Sequence, residues 1–218
     1  MEGSLITNLL GTFAHFMIAG GIFMWVILFL WAAGIAIALE RLTKLSFKYD
    51  VDGSSFMNEI QRHVLSNDVQ GAIRVCSGTD ALLPRVLKSG LKRANQTTEQ
   101  IQNAIDATAL EVIPKIETRM SYLNLLAQVS TLFGLLGTIQ GLMSSFAAVS
   151  AADPAQKAEL LANGIAVAMN TTFLGLLSAI SIMMIHGFLT SKAEKIINEI
   201  DEFSVKLMDL LGTKKEVK

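Results

Sequence analysis

Long stretches without a charged residue dominate the pattern of apolar and polar positions along the chain. Three such stretches contain no Asp, Glu, Lys or Arg, and each exceeds the roughly 20 largely apolar residues that a helix needs to cross a bilayer. They are Leu5–Leu39, Met120–Ala152 and Leu160–Ser191. The pattern predicts an all-α integral membrane protein with three transmembrane helices, at approximately residues 13–39, 121–149 and 160–190.

The Lys and Arg residues that border the spans are concentrated on one side of the predicted membrane. On the other side, the 150–159 loop carries only Lys157. The clustered residues are Arg41, Lys44, Lys48, Lys115, Arg119, Lys192 and Lys195. Because positive residues stay in the cytoplasm, we expect a periplasmic N-terminus, a cytoplasmic C-terminus and cytoplasmic segments at 40–119 and 191–218. Residues 1–218 are expected to form a single unit, in which two spans extend into a helical cytoplasmic region.

Helical spacing and turn signals divide the segment after the first span. Three short helices are predicted, because runs rich in Gly, Ser, Asn and Asp separate them. They are Phe56–Leu65, Asp68–Cys76 and Leu82–Arg93. A longer helix is expected from Thr97, since Thr97 and Gln100 fit a capping box. We predict that this helix leads into the second span without a turn, with a local kink at Pro114.

The third span is expected to begin at a helix cap and to continue into the cytoplasm. Asp153-Pro154-Ala155-Gln156 offers an acidic cap, a proline at the first helical position and Gln at the third. Beyond the span, apolar positions keep a spacing of three or four residues, so the helix should continue for about 20 residues, roughly 30 Å. Those positions are Ile196, Ile200, Phe203, Leu207 and Leu210.

The second and third spans each carry a line of small residues at helical spacing, and several of these residues bear hydroxyls. The second-span line is Ala127, Thr131, Gly134, Thr138, Gly141 and Ser145, and the third-span line is Gly164, Ala168, Thr172, Gly175 and Ala179, flanked by Thr171 and Ser178. Small residues let membrane helices pack closely, and Gly137 and Gly141 form a GxxxG pair. Hydroxyls on two helices also suit the wall of a narrow hydrated channel, or a groove for another helix. Because one copy is not expected to bury both faces, we predict a homo-oligomer.

The composition argues against enzymatic chemistry. Hydrophobic residues make up 51% of the chain, charged residues 17%, and Cys76 is the single cysteine. We find no catalytic pattern, metal-ligand spacing, phosphate-binding loop or large basic surface, so we expect no enzyme activity, cofactor, metal or nucleic-acid partner. Proton paths in membranes usually use carboxylates, and the three spans contain none. If the protein conducts protons, a partner must supply the carboxylate.

Several motifs resemble the MotA/TolQ/ExbB proton-channel family. Residues Phe133–Leu142 are similar to its LLGLLGTVxGM signature, and Gly164–Leu176 to its GIxxALxTTxxGL third-span motif. The first span resembles its MWP…ER pattern at Met24-Trp25 and Glu40-Arg41. The number of spans and the chain length favour the ExbB/TolQ-like branch over the four-span flagellar branch.

The resemblance implies a ring-forming proton-channel subunit, understood as a pentamer, in a bacterial inner membrane. Such rings surround a dimer of an ExbD/TolR-like protein with one span, whose membrane Asp carries protons, and proton flow drives work in the cell envelope. By motif position, Thr138 and Thr172 face that partner, with Thr131 and Thr171 as weaker members of the proton path. The glycines expected to pack the helices are Gly134, Gly137, Gly141, Gly164 and Gly175.

Three positions depart from the family pattern. Val167 stands where many relatives have Glu, Ser181 where proline is frequent, and Thr131 where some relatives have proline. Two other functions compete with the motor interpretation: a passive membrane scaffold whose small residues only pack helices, and a small-solute transporter. Transporters of that kind usually show inverted repeats and broken helices, and the sequence shows neither.

Overall fold

The protein is all-helical over the residues that its structure describes. The structure is a computed structural model that describes residues 11, 12, 14, 16–49 and 51–216, with the side chains of 151 and 214–216 left out. This part of the chain contains no β-strand, and three of its helical segments are long and apolar enough to cross a membrane. The predicted all-α class with three membrane helices is therefore confirmed.

The chain folds as two compact units, each assembled from two separate stretches of sequence. The membrane unit combines the chain up to Ala38 with Ser121–Gly187, and the bundle unit combines Leu39–Met120 with the chain from Phe188 onward. The helices after residue 21 are α1 (Ile22–Thr43), a π-helical segment (Lys44–Tyr49), α2 (Gly53–Leu65), α3 (Val69–Ser77), α4 (Leu82–Leu91), α5 (Thr98–Glu117), α6 (Met120–Ala151) and α7 (Lys157–Glu216).

The first predicted span, residues 13–39, is not one continuous helix. Residues 16–19 are helical, the chain turns at Gly20 and Gly21, and α1 then begins at Ile22. Gly21 has φ +72°, in the left-handed region that glycine adopts without steric cost. Residues 13 and 15, near the expected start of the span, lie outside the described residues. The uncharged pattern marked the span correctly but did not reveal the glycine turn within it.

Apolar faces of α2 to α5 and of the last part of α7 form the core of the bundle unit. A methyl group placed on Gly90 of α4 would lie 2.8 Å from Cδ1 of Ile105 and 3.3 Å from Cδ2 of Leu207, so α4 contacts both α5 and α7. The larger buried side chains are Phe56, Ile60, Val64, Val86, Leu87, Leu91, Ile101, Ile105, Val112, Ile116, Ile196, Ile200, Phe203 and Leu207.

The three short helices occur where the sequence predicts them, with ends shifted by up to three residues. Asp68 caps α3, and its carboxylate accepts a hydrogen bond from the Gly71 backbone N–H at 2.8 Å. This bond holds the pKa of the Asp68 carboxyl below its ordinary value. The capping box of α5 is confirmed: the Gln100 N–H donates to Thr97 Oγ1 at 3.3 Å, and the Thr97 N–H donates to Gln100 Oε1 at 3.2 Å.

α7 is a single helix of 60 residues, which confirms the predicted extension of the third span. Its predicted apolar stripe is buried, except that Leu211 replaces Leu210 as the last buried position. The predicted helix start at residues 153–156 is wrong. These residues form a turn closed by a hydrogen bond from the Gln156 N–H to the Asp153 carbonyl at 2.9 Å, and α7 begins at Lys157.

The helix from Thr97 does not continue into the second span, contrary to the sequence-based expectation. α5 contains Pro114 in its interior but ends only at Glu117, and Arg119 has φ +64° before α6 begins at Met120. A residue with a β-carbon rarely adopts such a φ, so Arg119 marks a true break between two helices.

Arg41 supplies hydrogen bonds at this break. Its side chain is only 2% exposed, and its Nη2 donates to the carbonyl of Lys115 at 3.1 Å and to that of Ile116. These carbonyls are among the last four of α5, which have no partner within a helix. Beside them, Arg119 pairs with Glu40. Two adjacent residues of α1 therefore bind the end of α5 and the turn that follows it.

Arg41→Met should destabilise the bundle unit. The change keeps most of the side-chain volume but leaves the carbonyls of Lys115 and Ile116 without their donor, at a cost on the order of 2 kcal/mol or more. Lys44→Met is the control, because Lys44 makes only an exposed ion pair with Glu40, worth less than about 1 kcal/mol. Thermal unfolding in one detergent gives the melting temperature of each purified variant. Equal melting temperatures for the two variants would contradict the capping role of Arg41.

Aspartate at Ile200 or Leu207 should disrupt the bundle core, because both side chains are 0% exposed. An unpaired carboxylate there should lower the free energy of unfolding by more than about 3 kcal/mol. Val205→Asp is the matched control, since Val205 lies on the same helix and is 69% exposed. Thermal unfolding and size-exclusion chromatography compare the three variants. Wild-type behaviour of both core variants would rule out this packing.

Candidate functional site

The α6–α7 pair carries the residues that the sequence singled out, and α1 packs on one side of this pair. Trp31 Nε1 donates a hydrogen bond to Ser181 Oγ at 2.8 Å, which joins α1 to α7. A buried cluster then links all three helices, because Phe133 of α6 packs against it. The buried members are Met17, Met24, Ile27 and Leu174. α7 is unbroken at Ser181, and this residue serves as a contact to α1.

Glycines let the backbones of α6 and α7 come very close. A methyl group placed on Gly175 would lie 2.8 Å from the Ser130 carbonyl oxygen and 2.9 Å from Cα of Gly134. One on Gly137 would lie 2.6 Å from Cβ of Thr171. Gly141 faces the Ala168 backbone, and Gly164 faces the Ser145 side chain. The structure thus places all of the glycines expected to pack in one contact surface, which we call the seam.

The seam corrects one argument made from the sequence. The two lines of small residues were expected to need another copy of the chain, because one copy was not expected to bury both. Instead, members of the two lines pack against each other, and the buried residues of α6 and α7 include Ala127, Ser130, Gly134, Gly137, Gly141, Ser145, Ala168, Thr171, Gly175, Ser178 and Ala179. Assembly into a homo-oligomer remains a prediction, but the small-residue lines no longer require it.

The four threonines of the candidate proton path separate into two groups. Thr171 is 0% exposed in the seam, where its Oγ1 donates to the Ala168 carbonyl at 2.8 Å. Thr131 is exposed, and Thr138 and Thr172 are partly exposed. We call Thr131, Thr138 and Thr172 the threonine edge.

Hydrogen bonds fix the hydroxyls of the threonine edge. Thr172 Oγ1 crosses between the helices and donates to the Gly134 carbonyl at 3.2 Å. Thr138 Oγ1 donates to the Leu135 carbonyl at 2.6 Å, and Thr131 Oγ1 donates to the Ala127 carbonyl at 3.2 Å. Each hydroxyl oxygen keeps lone pairs with which it can accept a further hydrogen bond.

The threonine edge lies on the side of the α6–α7 pair that is away from α1. Gly134 points into the seam, and Phe133, about 100° around α6, packs toward α1 and pairs with the ring of Phe23. Thr131 and Thr138 fall on the other flank of Gly134. On α7, Leu174 packs toward α1, and Thr172 occupies the opposite flank. α1 therefore does not cover the threonine edge, and a further helix can pack against it.

The threonine edge offers neutral hydroxyls without an acid or base of its own. Met120–Ala151 and Leu160–Ser191 contain no Asp, Glu, Lys or Arg, and His186 is their one histidine. Hydroxyls of Thr do not titrate near neutral pH, so they can orient a proton carrier or a water but cannot replace a carboxylate. The arrangement can guide proton exchange on a carboxyl group supplied from outside this chain.

Ser130 is a buried residue that the sequence analysis missed. Its side chain is 0% exposed, and its Oγ has no hydrogen-bond partner among the described residues. The signal was present, because Ser130 lies four residues before Gly134 and seven before Gly137, on the same helical face. The small-residue line had been drawn through Thr131 instead, one residue away, which the structure places at the border of the seam.

No group of three or more His, Cys, Asp or Glu residues in the described chain could hold a metal. Burial raises the pKa of the Cys76 thiol to about 12, so it stays protonated and unreactive at neutral pH.

Comparisons with known proteins identify what the chain is similar to. The sequence profile of the MotA/TolQ/ExbB proton channel family matches residues 79–202, more than half of the chain. An ExbB homologue of Methanothermobacter thermautotrophicus, described as a biopolymer transport protein, is 24% identical over 197 residues, which cover 90% of this chain and 69% of the relative. The Tol-Pal system protein TolQ of Haemophilus influenzae is 38% identical over 96 residues, 42% of each chain. An ExbB-like biopolymer transport protein of Synechocystis is 26% identical over 76% of this chain and 79% of its own length.

Gly175→Ala should separate α6 from α7. Its methyl group would meet backbone atoms of Ser130 and Gly134, which cannot rotate away, so we expect a destabilisation of about 1–3 kcal/mol. Gly187→Ala on the same helix is the control, because no atom lies within 4 Å of its added methyl group, and alanine favours the helix. Thermal unfolding in detergent should give a lower melting temperature for Gly175→Ala only. A Gly175→Ala variant as stable as Gly187→Ala would show that the seam is looser than described.

Proposed function

The chain belongs to the MotA/TolQ/ExbB proton channel family and resembles its ExbB/TolQ branch, and on that premise we propose a specific role for it. It is a ring-forming proton-channel subunit of an inner-membrane motor that is driven by the proton-motive force. The motor energises a process in the bacterial cell envelope through an ExbD/TolR-like partner. Its family and its apolar helices already make it a multi-pass membrane protein of the proton-channel type.

The threonine edge is the observation that carries this proposal. A purely structural surface toward lipid would have no need of hydroxyls, yet three lie together on the flank away from α1. Large apolar side chains surround them and exclude water from the rest of the surface. The exposed ones on this flank include Leu135, Met169 and Leu176. A narrow polar line within an apolar surface suits a partner helix that carries one titratable group.

The partner supplies the chemistry that the edge lacks. A single-span helix with a membrane Asp would place its carboxyl beside Thr138 and Thr172. The protonated carboxyl can donate to a threonine oxygen, and the ionised one can accept from the hydroxyl after that hydroxyl leaves its carbonyl partner. The hydroxyls thereby favour both states of the carboxyl at one place, as proton exchange requires. Thr171, buried in the seam, packs the helices and acts only indirectly.

Ring assembly and membrane orientation complete the proposal. A homo-oligomer, most simply a pentamer around a partner dimer, places one threonine edge per subunit toward a common axis. The N-terminus faces the periplasm and the C-terminus the cytoplasm, because Lys and Arg concentrate at 40–119 and 191–218. Native mass spectrometry of the detergent-solubilised chain gives the number of copies, and a stable monomer would remove the channel function.

A passive scaffold is the rival function, and one observation favours it. Every hydroxyl of the threonine edge already donates to a carbonyl of its own chain. Such bonds are common for hydroxyls that merely pack in membrane helices. The scaffold and the channel therefore differ in what removal of a hydroxyl does to ion flow, not in the static contacts.

Thr138→Val and Thr172→Val should each reduce proton flux through the assembled complex. Valine keeps the side-chain shape and removes the hydroxyl, so the expected loss is roughly tenfold or more, the value of one hydrogen bond to a charged group. Flux is measured in proteoliposomes with and without the co-expressed single-span partner, and native mass spectrometry verifies that the ring stays intact. Thr131→Val should have a weaker effect, because the motif positions that face the partner are Thr138 and Thr172, and Thr131 lies outside them.

Thr108→Val is the matched control for the loss of a hydroxyl. Thr108 Oγ1 also donates to a carbonyl of its own helix, that of Ala104 at 2.9 Å, but Thr108 lies on α5 in the bundle unit. The control should keep wild-type flux. Full flux in both Thr138→Val and Thr172→Val would leave only the scaffold, whereas equal losses in all three variants would show a general effect on stability.

A further inference from the structure

A cavity of about 430 Å³ opens at the surface of the membrane unit, among the start of α1, the last part of α6 and the first part of α7. It lies on the Phe23 side of α6, so it is separate from the threonine edge. Its size falls in the range of small-molecule sites in proteins. The lining includes Gly20, Gly21, Ile22, Phe23, Gln140 and Asn163.

The lining of this cavity combines apolar walls with a few neutral polar groups. Phe23, Ile22 and Leu160 provide apolar surface, whereas Gln140 and Asn163 provide amide side chains. No charged residue is among the lining residues, and Val167 adds apolar surface. The cavity therefore favours an uncharged polar group, such as one that accepts hydrogen bonds from the two amide NH2 groups, attached to an apolar body.

The glycine turn before α1 explains why space exists at this place. Gly21 has φ +72° and no atom within 4 Å of its Cβ direction, so the chain turns away and leaves an opening. The break also interrupts the backbone hydrogen bonding of the first span. Irregular backbone near the bilayer is tolerated where it lines a polar or hydrated site, and Gly20 and Gly21 both line this cavity.

The position of the cavity along the helices indicates its depth in the membrane. Its lining on α6 runs from Gly137 to Ala148, about 17 Å of helix at 1.5 Å per residue, and ends three residues before the helix does. On α7 it begins at Leu160, one residue after Glu159, the last charge before the apolar span. The cavity thus bridges the polar boundary and the hydrocarbon region on the side of the 152–156 turn, the depth of glycerolipid ester groups.

We propose that this cavity binds the ester-linked acyl chain of a membrane glycerolipid. The Gln140 and Asn163 amides donate hydrogen bonds to an ester carbonyl oxygen, and the acyl chain lies against Phe23 and Ile22. An ester carbonyl is uncharged, accepts hydrogen bonds and adjoins a long apolar chain, so it matches the lining in all three respects. The polar head of the lipid stays outside the cavity.

A matched pair of lipids tests the proposal without any mutation. The assembled protein is stripped of lipid in detergent and titrated with diester phosphatidylcholine or with diether phosphatidylcholine of equal chain length, which lacks the carbonyls. Native mass spectrometry counts the lipids that the protein retains, and thermal unfolding gives the shift in melting temperature that each lipid causes. The diester lipid should be retained about fivefold more tightly, as expected for loss of one or two neutral hydrogen bonds. Equal retention of both lipids, or retention of neither, would overturn the proposal.

Two glutamines of α6 provide a matched control for the side chains. Gln140 donates to Ser144 Oγ at 3.4 Å inside the cavity, and Gln128 donates to Asn124 Oδ1 at 3.4 Å on another face. Gln140→Leu and Asn163→Leu should each reduce the preference for the diester lipid at least about twofold, whereas Gln128→Leu should keep it. All of these side chains are exposed in the single chain, so the substitutions should not impair folding. The same loss in Gln128→Leu as in Gln140→Leu would place the lipid elsewhere.

Discussion

Where α6 crosses α7, neither helix has room for a side chain. Gly134 and Gly175 stand face to face, and this close approach brings the Thr172 hydroxyl within 3.2 Å of a carbonyl on the other helix. No hydrophobic force draws helices together in lipid, so packing and such hydrogen bonds must hold the pair. The distance between the helices in turn decides which hydroxyls are buried and which remain at the border. The threonine edge exists because the seam is narrow.

Helix ends pose a comparable constraint in the bundle unit. The last carbonyls of α5 need donors, and the chain supplies them from Arg41, which lies 74 residues before Lys115. A buried arginine is costly unless its donors are used. Here Nη2 donates to two carbonyls at a helix end, which carry partial negative charge, whereas Nε has no partner among the described residues. The Glu40-Arg41 pair thus has a structural role that the family-like motif alone did not indicate.

Local patterns predicted the parts of this structure that depend on local forces. The absence of charge marked the spans, and Thr97 and Gln100 predicted a cap, because both features act within a few residues. The break at Arg119 could not be predicted, since it depends on an arginine that is distant in sequence. The sequence analysis drew the packing face of α6 through Thr131, whereas the structure buries Ser130. Both residues are small and hydroxylated, and only the contact with α7 distinguishes them. The Gly20-Gly21 turn was visible in the sequence, but apolarity alone does not report it.

The membrane-spanning stretches of α6 and α7 limit where a membrane potential can act on this chain. A membrane potential of 100 mV acts on each elementary charge with about 2.3 kcal/mol, and Met120–Ala151 and Leu160–Ser191 hold no Asp, Glu, Lys or Arg on which it could act. These two membrane-spanning stretches of α6 and α7 therefore carry no gating charge from Asp, Glu, Lys or Arg. In the function proposed above, the membrane potential therefore acts on a charge carried by the partner, while the membrane-spanning stretches of α6 and α7 contribute none.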